Sequence, residues 1–217
     1  MPATRDALMQ TLYGRDIWAG FQPVETGGVQ GWNGDHPSLG RLAAAPGAKV
    51  VVDVGVWKGQ STINMALAMK AAGIDGAVIG VDTFLGSPEH WLMEGGELFA
   101  RVNGLPDLYR TFLSNVVAAG VQDYIVPMPQ TSTTAAQILR RLGITASVAH
   151  IDAAHEHAEV LRDAQEYWAV LQPGGFLIGD DYHWTWAGVM RAAADFTTQV
   201  GRPFMVDGVK WIVEKPS

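Results

Sequence analysis

From Lys49 to the C-terminus, short apolar runs alternate with segments of helical period, and that alternation predicts successive βα units around a mostly parallel sheet. Strands are expected over Lys49 to Val54, Ala77 to Val81, Tyr124 to Met128, Ser147 to Ile151 and Gly175 to Ile178. These five runs are nearly continuous in Val, Ile and Ala, as strands covered on both faces require. Two more, Phe204 to Val206 and Lys210 to Val213, flank Asp207-Gly208, a hairpin signal that predicts one antiparallel strand near the C-terminus. Helices fit between them over Ser61 to Ala72, Leu108 to Ala119, Thr133 to Leu142, Glu156 to Leu171 and Ala187 to Val200. Pro173-Gly174-Gly175 is expected to end the fourth crossover.

The expected fold class is therefore α/β, a doubly wound, Rossmann-like seven-stranded sheet with helices on both faces. Residues 1–47 break the alternation and are read as an N-terminal lid or oligomerisation segment. Residues 48–217 form the ligand-binding domain, with a lid-like insertion over 83–107 rich in Gly, Trp, His and acidic residues.

Composition narrows the function. A chain of 217 residues with 48% hydrophobic and 17% charged side chains can bury a sizeable core as one domain. The net charge of -7 and the lack of any basic run argue against nucleic acid as partner. The absence of cysteine removes disulfides, thiolate metal sites and cysteine nucleophiles. No stretch approaches the roughly 18 apolar residues of a membrane span, and the N-terminus lacks a signal-peptide pattern, so a cytoplasmic protein is expected.

After the first strand, Asp53-Val-Gly55-Val-Trp-Lys-Gly59-Gln-Ser61-Thr62 places two glycines four apart and opens directly into a helix. Such glycines let the backbone approach a ligand, and the free N–H groups of the helix start favour polar or anionic groups. Trp57 stands where a dinucleotide fingerprint requires its second glycine, which disfavours NAD. Asp82, at the end of the second strand, is placed to accept hydrogen bonds from ribose hydroxyls. Loop and acid together point to a nucleoside ligand, the alternative being a tight βα turn with packing glycines.

At these residues the chain resembles the Rossmann-like S-adenosylmethionine-dependent methyltransferases of class I, whose first motif is an acidic residue, Gly, three residues and Gly. The resemblance spans most of the chain after Val50. It implies that the Asp53 to Gly59 loop wraps the methionine part of S-adenosylmethionine and that Asp82 binds its ribose. The cofactor set implied is Asp53, Gly55, Trp57, Gly59, Ser61, Asp82, Thr83, Gln130, Thr131 and Asp152.

The fourth strand runs into Asp152-Ala-Ala-His155-Glu156-His157 and the fifth into Asp180-Asp181-Tyr182-His183, so both acidic ends are expected to face one crevice. Three carboxylates gathered there repel one another unless protonated or neutralised, and Mg2+ is a common neutraliser of oxygen-only ligands. The arrangement resembles the divalent-metal-dependent catechol-type O-methyltransferases and, more closely, the macrocin O-methyltransferase and cephalosporin hydroxylase group. The implied roles are Asp152, Asp180 and Asp181 as Mg2+ ligands that hold the acceptor's oxygens. His155 stands where the catechol-type enzymes place a lysine base, and an imidazole suits that task. Asp152 and His155 are thus the candidate catalytic residues.

Plainer readings stand beside these. Asp180-Asp181 can cap a loop and His155 can be a helix-start residue. His155 and His157 suggest zinc only weakly, because positions i and i+2 of a helix point apart. His183, Trp184 and Trp186 can form an acceptor wall or ordinary packing, as can Trp32 and Trp91, while His36 and His90 can complete the pocket. The expected activity is metal-assisted O-methylation of a small hydroxylated molecule by a homo-oligomeric enzyme. The alternatives are a cofactor-binding protein without transfer activity, or a different nucleotide-dependent enzyme on the same fold.

Overall fold

The computed structural model of the chain describes residues 2–92 and 99–217. The predicted alternation is present. Seven strands, β1 (Val50–Val54), β2 (Ala77–Asp82), β5 (Ile125–Pro129), β6 (Ala146–Ile151), β7 (Leu171–Gly179), β8 (Met205–Asp207) and β9 (Lys210–Glu214), form one sheet in the order β5-β2-β1-β6-β7-β9-β8. Every pairing is parallel except those of β9, which runs antiparallel to β7 and to β8. A two-stranded hairpin, β3 (Arg101–Val102) with β4 (Leu105–Pro106), stands apart.

Helices α3 (Gln60–Ala71), α5 (Leu108–Ala118), α6 (Ser132–Arg141), α7 (His157–Val170) and α8 (Ala187–Val200) are the crossovers. Their apolar faces meet a sheet whose central strands are buried almost throughout, which is why β1, β2 and β6 read as unbroken apolar runs rather than alternating ones. The predicted boundaries hold to within a residue or two, except at β7. That strand begins four residues before the expected Gly175, pairing Leu171 with Ala146 and resuming as Phe176 with Val148. Pro173 has no N–H to give the ladder, so the intervening residues shift the register instead of ending the strand.

The N-terminal segment has its own structure: α1 (Ala3–Tyr13), α2 (Pro37–Ala43) and irregular chain between. Its first part covers the exposed edge of β5, whose carbonyls would otherwise lack partners. The Tyr13 hydroxyl donates to the Pro127 carbonyl and the Trp18 indole donates to the Ile125 carbonyl at 3.1 Å. Burial pushes the Tyr13 phenol up to about 12. The insertion after β2 carries a short helix, α4 (Pro88–Leu92), and the hairpin; its residues 93–98 lie outside the described part of the chain. Among the described residues, no helix is long and apolar enough to cross a membrane.

Strand order reverses about β1, which lies between β2 and β6. The carboxyl ends of β1, β2, β6 and β7 therefore open onto one crevice at the topological switch point.

Candidate active site

Two adjoining cavities, of about 460 and 280 Å3, form a continuous cleft along these strand ends and share Gly55, Trp57, Ser87, His90, Asp152 and Ala153 as walls. The smaller end is lined by Asp82, Thr83, Gln130 and Thr131, the larger by Ser61, His155, Asp181 and Trp186. Ten of the residues singled out from sequence thus converge on one site, whereas Asp53, Gly59 and Asp180 do not line it.

Gly55, with φ 94°, sits where the loop after β1 crosses the loop after β6; a Cβ there would overlap the Asp152 carbonyl. Close backbone approach between the two loops is therefore the task of this glycine. Gly59, with φ 100°, turns the chain into α3 and faces the Phe112 ring. The N-cap residue of α3 is Gly59, and among the described residues no side-chain cap bond is made there, which leaves the first N–H groups of the helix to a ligand at the cleft wall. Beside them the side-chain oxygen of Gln60 is buried and has no hydrogen-bond partner among the described residues.

Asp53 has a different task from the expected ligand contact. Its carboxylate is wholly buried, accepting hydrogen bonds from the Ser61 and Thr62 hydroxyls and facing His150 Nδ1 at 2.7 Å. It ties the first turn of α3 to β1 and β6.

Asp82 Oδ2 accepts from the Trp57 N–H at 2.8 Å and Oδ1 from the Phe84 N–H at 2.7 Å. Burial nevertheless outweighs these bonds and pushes its carboxyl up. Trp57 and Phe84 both hold left-handed backbones, as do Asn33 and Asp181, with φ of 54 to 57°. Non-glycine residues seldom adopt this region, and here four of them border or adjoin one cleft, which marks it as a place where geometry outranks local stability.

The larger end is walled by aromatic rings. Trp57 stacks on His90 with centroids 3.9 Å apart, Trp32 lies 5.9 Å beyond His90, and the Trp57 indole donates to Gln30 Oε1 at 2.9 Å. Opposite them Trp186 stacks on His155 at 3.9 Å. Residues 30–34 of the N-terminal segment and 87–90 of the insertion thus both contribute walls. Of the other residues weighed, His183 caps the turn at Thr185, Trp184 is exposed, and Trp91 packs beside Phe99. His36 caps α2, and His157 pairs with Asp195 on α8 at 2.8 Å.

His155 Nε2 lies 2.9 Å from Asp181 Oδ2, and its Nδ1 lies 4.0 Å from Glu89 Oε1. Burial lowers the imidazole's hold on its proton, but the Asp181 hydrogen bond and the Asp181 and Glu89 charges outweigh it, and the pKa is raised. Asp152 is pushed well up by burial and by the Asp180 carboxylate.

The three aspartates expected to hold Mg2+ do not form one ligand set. Asp180 points inward, accepting from the fully buried Lys210 ammonium, and its other oxygen accepts the Asp181 N–H at 2.7 Å. Ligand atoms group instead as His150, Asp152 and Asp180, and as Asp152, His155 and Asp181, each set within 4.8 Å. The Lys210 ammonium already bonds His150 and Asp180 of the first set, and the second set includes an imidazole nitrogen. The donors present therefore do not fit an oxygen-only Mg2+ site. Sequence reasoning missed His150 and Lys210, although a charged or imidazole side chain inside an otherwise apolar strand is a readable signal.

Comparison with known proteins agrees with this geometry. A family model described as a methyltransferase domain matches residues 52–182, the span from β1 to the residue after Asp181. No curated protein matches the sequence significantly. Among solved structures, the O-methyltransferase NovP superposes with a TM-score of 0.62 at 18% identity, over 83% of this chain and 78% of its own. TomG from Streptomyces achromogenes, an O-methyltransferase solved with S-adenosylmethionine, gives 0.61 at 14% identity over 100% and 91%. An O-methyltransferase from Bacillus cereus, solved with S-adenosylhomocysteine, gives 0.58 at 16% identity over 99% and 92%. The chain belongs to the methyltransferase-domain family and is a class I, S-adenosylmethionine-dependent methyltransferase.

Proposed function

We propose that this enzyme moves the methyl group of S-adenosylmethionine to a hydroxyl of a small, ring-bearing acceptor, with His155 as the base. The observation that carries this reading is the His155–Asp181 pair at the aromatic end of a cleft whose other end holds Asp82. Bound S-adenosylmethionine supplies an electrophilic sulfonium methyl. The free N–H groups of α3 suit its carboxylate, the unpartnered Gln60 oxygen suits its ammonium, and Asp82 suits the ribose diol.

Displacement at a methyl needs alignment and an ionised acceptor oxygen. Asp181 accepts from Nε2 and so favours the tautomer whose lone pair is on Nδ1, which is then free to take the hydroxyl proton. Stacking on Trp186 fixes the plane of the ring. Asp152, whose carboxyl burial and the Asp180 carboxylate push up, lines the same end of the cleft. The Trp32, Trp57 and His90 faces favour a flat or ring-bearing acceptor such as a phenol or a sugar. Divalent-metal assistance, expected from the three aspartates, is left out of this reading because Asp180 is occupied by Lys210.

The test is incubation with methyl-labelled S-adenosylmethionine and matched panels of phenols, glycosides, amines and thiols. Label in hydroxylated acceptors, lost in His155→Ala, is the expected outcome. Transfer only to amines or thiols, or transfer undiminished by His155→Ala, contradicts it.

A further inference from the structure

We propose that Lys210 is a built-in replacement for a divalent cation among the buried acidic groups behind the cleft, so that this enzyme works without a metal ion. The inference rests on reading the cleft as the methyl-transfer site, but its test reads cation binding and stands apart from transfer.

The placement begins with register. β9 runs antiparallel to β7 with Trp211 opposite Gly179, so Lys210, the residue before Trp211, lies beside the end of β7 where Asp180 follows. Its ammonium donates to Asp180 Oδ2 and faces His150 Nε2 at 3.3 Å. Both Lys210 and His150 have no exposed surface, and Asp180 has almost none.

His150 in turn faces Asp53 through Nδ1 at 2.7 Å. An imidazole that donates from Nδ1 to a carboxylate has a lone pair on Nε2 to accept from an ammonium, so both ring nitrogens of His150 have a partner. The result is a buried chain, Asp53–His150–Lys210–Asp180, that begins at the hydroxyls of the α3 first turn and ends beside Asp181.

Charge explains why this excludes a second cation. Carboxylates gathered in a buried site need a compensating positive charge. The ligand atoms of His150, Asp152 and Asp180 lie within 4.8 Å of one another, the span of a coordination shell, and the Lys210 ammonium bonds two of these three residues. An ammonium held there repels an incoming divalent ion and takes the lone pairs that ion would use. Unlike a metal, it is fixed covalently to the fold and needs no loading.

Binding of Mn2+ to the full chain with S-adenosylhomocysteine is measured by water-proton relaxation, for the wild type, Lys210→Met and Asp180→Asn. The wild type is expected to show no saturable site at millimolar Mn2+. Lys210→Met, which frees the carboxylates, is expected to bind at least about tenfold more tightly, the equivalent of about 1.4 kcal/mol. If Lys210→Met is too unstable to titrate, a rise in its melting temperature with Mg2+ that the wild type does not share is the same result. A one-to-one Mn2+ site in the wild type that Asp180→Asn removes overturns the proposal. So does a Lys210→Met protein whose affinity and melting temperature both ignore the cation.

Discussion

His155 Nε2 lies 2.9 Å from Asp181 Oδ2, and this contact joins the loop after β6 to the loop after β7 across the mouth of the cleft. It gives the imidazole an orientation and a raised pKa at once. A base must be unprotonated to act, so the rate is expected to climb with pH through a value above the ordinary His value of about 6.5. Asp181→Asn removes the charge that holds the proton, which moves that climb to lower pH and lowers kcat at least about tenfold through loss of the tautomer. Folding carries its own sign. A group whose pKa is raised on folding stabilises below its unfolded value and loses that contribution as pH rises through the folded one. Asp181→Asn should therefore cost stability in mild acid and little in alkali, which pH-dependent urea melts can read.

Gly55→Ala is expected to weaken binding of S-adenosylhomocysteine at least about tenfold, because φ 94° and overlap with the Asp152 carbonyl each carry about 1–3 kcal/mol of strain. The readout is calorimetric affinity compared with Gly47→Ala, also at positive φ but with open space around it. An unchanged affinity in Gly55→Ala would mean that the two loops adjust without disturbing the site.

Just before Asp180, Gly179 lies directly under the Trp211 indole, which is fully buried in the core. Gly179→Ala overpacks that contact and should cost about 1–3 kcal/mol. For a chain of this size that lowers the melting temperature by roughly 2–4 °C per kcal/mol.

Trp32 is half exposed and forms the outer face of the aromatic wall, stacked over His90. Trp32→Ala removes acceptor contact without touching the base. It should raise KM for a ring-bearing acceptor several-fold while kcat and the pH profile stay put. A fall in kcat alone would instead place Trp32 in the transition state.

Much of this was legible in the residues. Continuous apolar runs at β1, β2 and β6 declare strands buried on both faces, and Gly55 and Gly59 declare a tight turn into α3 because a positive φ favours glycine. What was illegible depended on lateral register. Whether Asp180 faces the cleft or the core is decided by Lys210, thirty positions later on an antiparallel neighbour, and strand patterning carries no such information. Asp53 misled for a similar reason. An acid at the end of β1 suggests a ligand, but His150 on the adjacent strand and the two hydroxyls of α3 claim its carboxylate. The walls from residues 30–34 and 87–90 were equally hidden, since irregular chain has no period from which its position can be read.

The reading of the cleft as an S-adenosylmethionine site turns most directly on calorimetric titration of S-adenosylhomocysteine into the wild type and Asp82→Ala. Hydrogen bonds to a charged group contribute about 1.5–3 kcal/mol, so saturable one-to-one binding to the wild type, weakened about 10- to 100-fold in Asp82→Ala, is expected. No binding to the wild type, or an affinity that Asp82→Ala leaves unchanged, would contradict it.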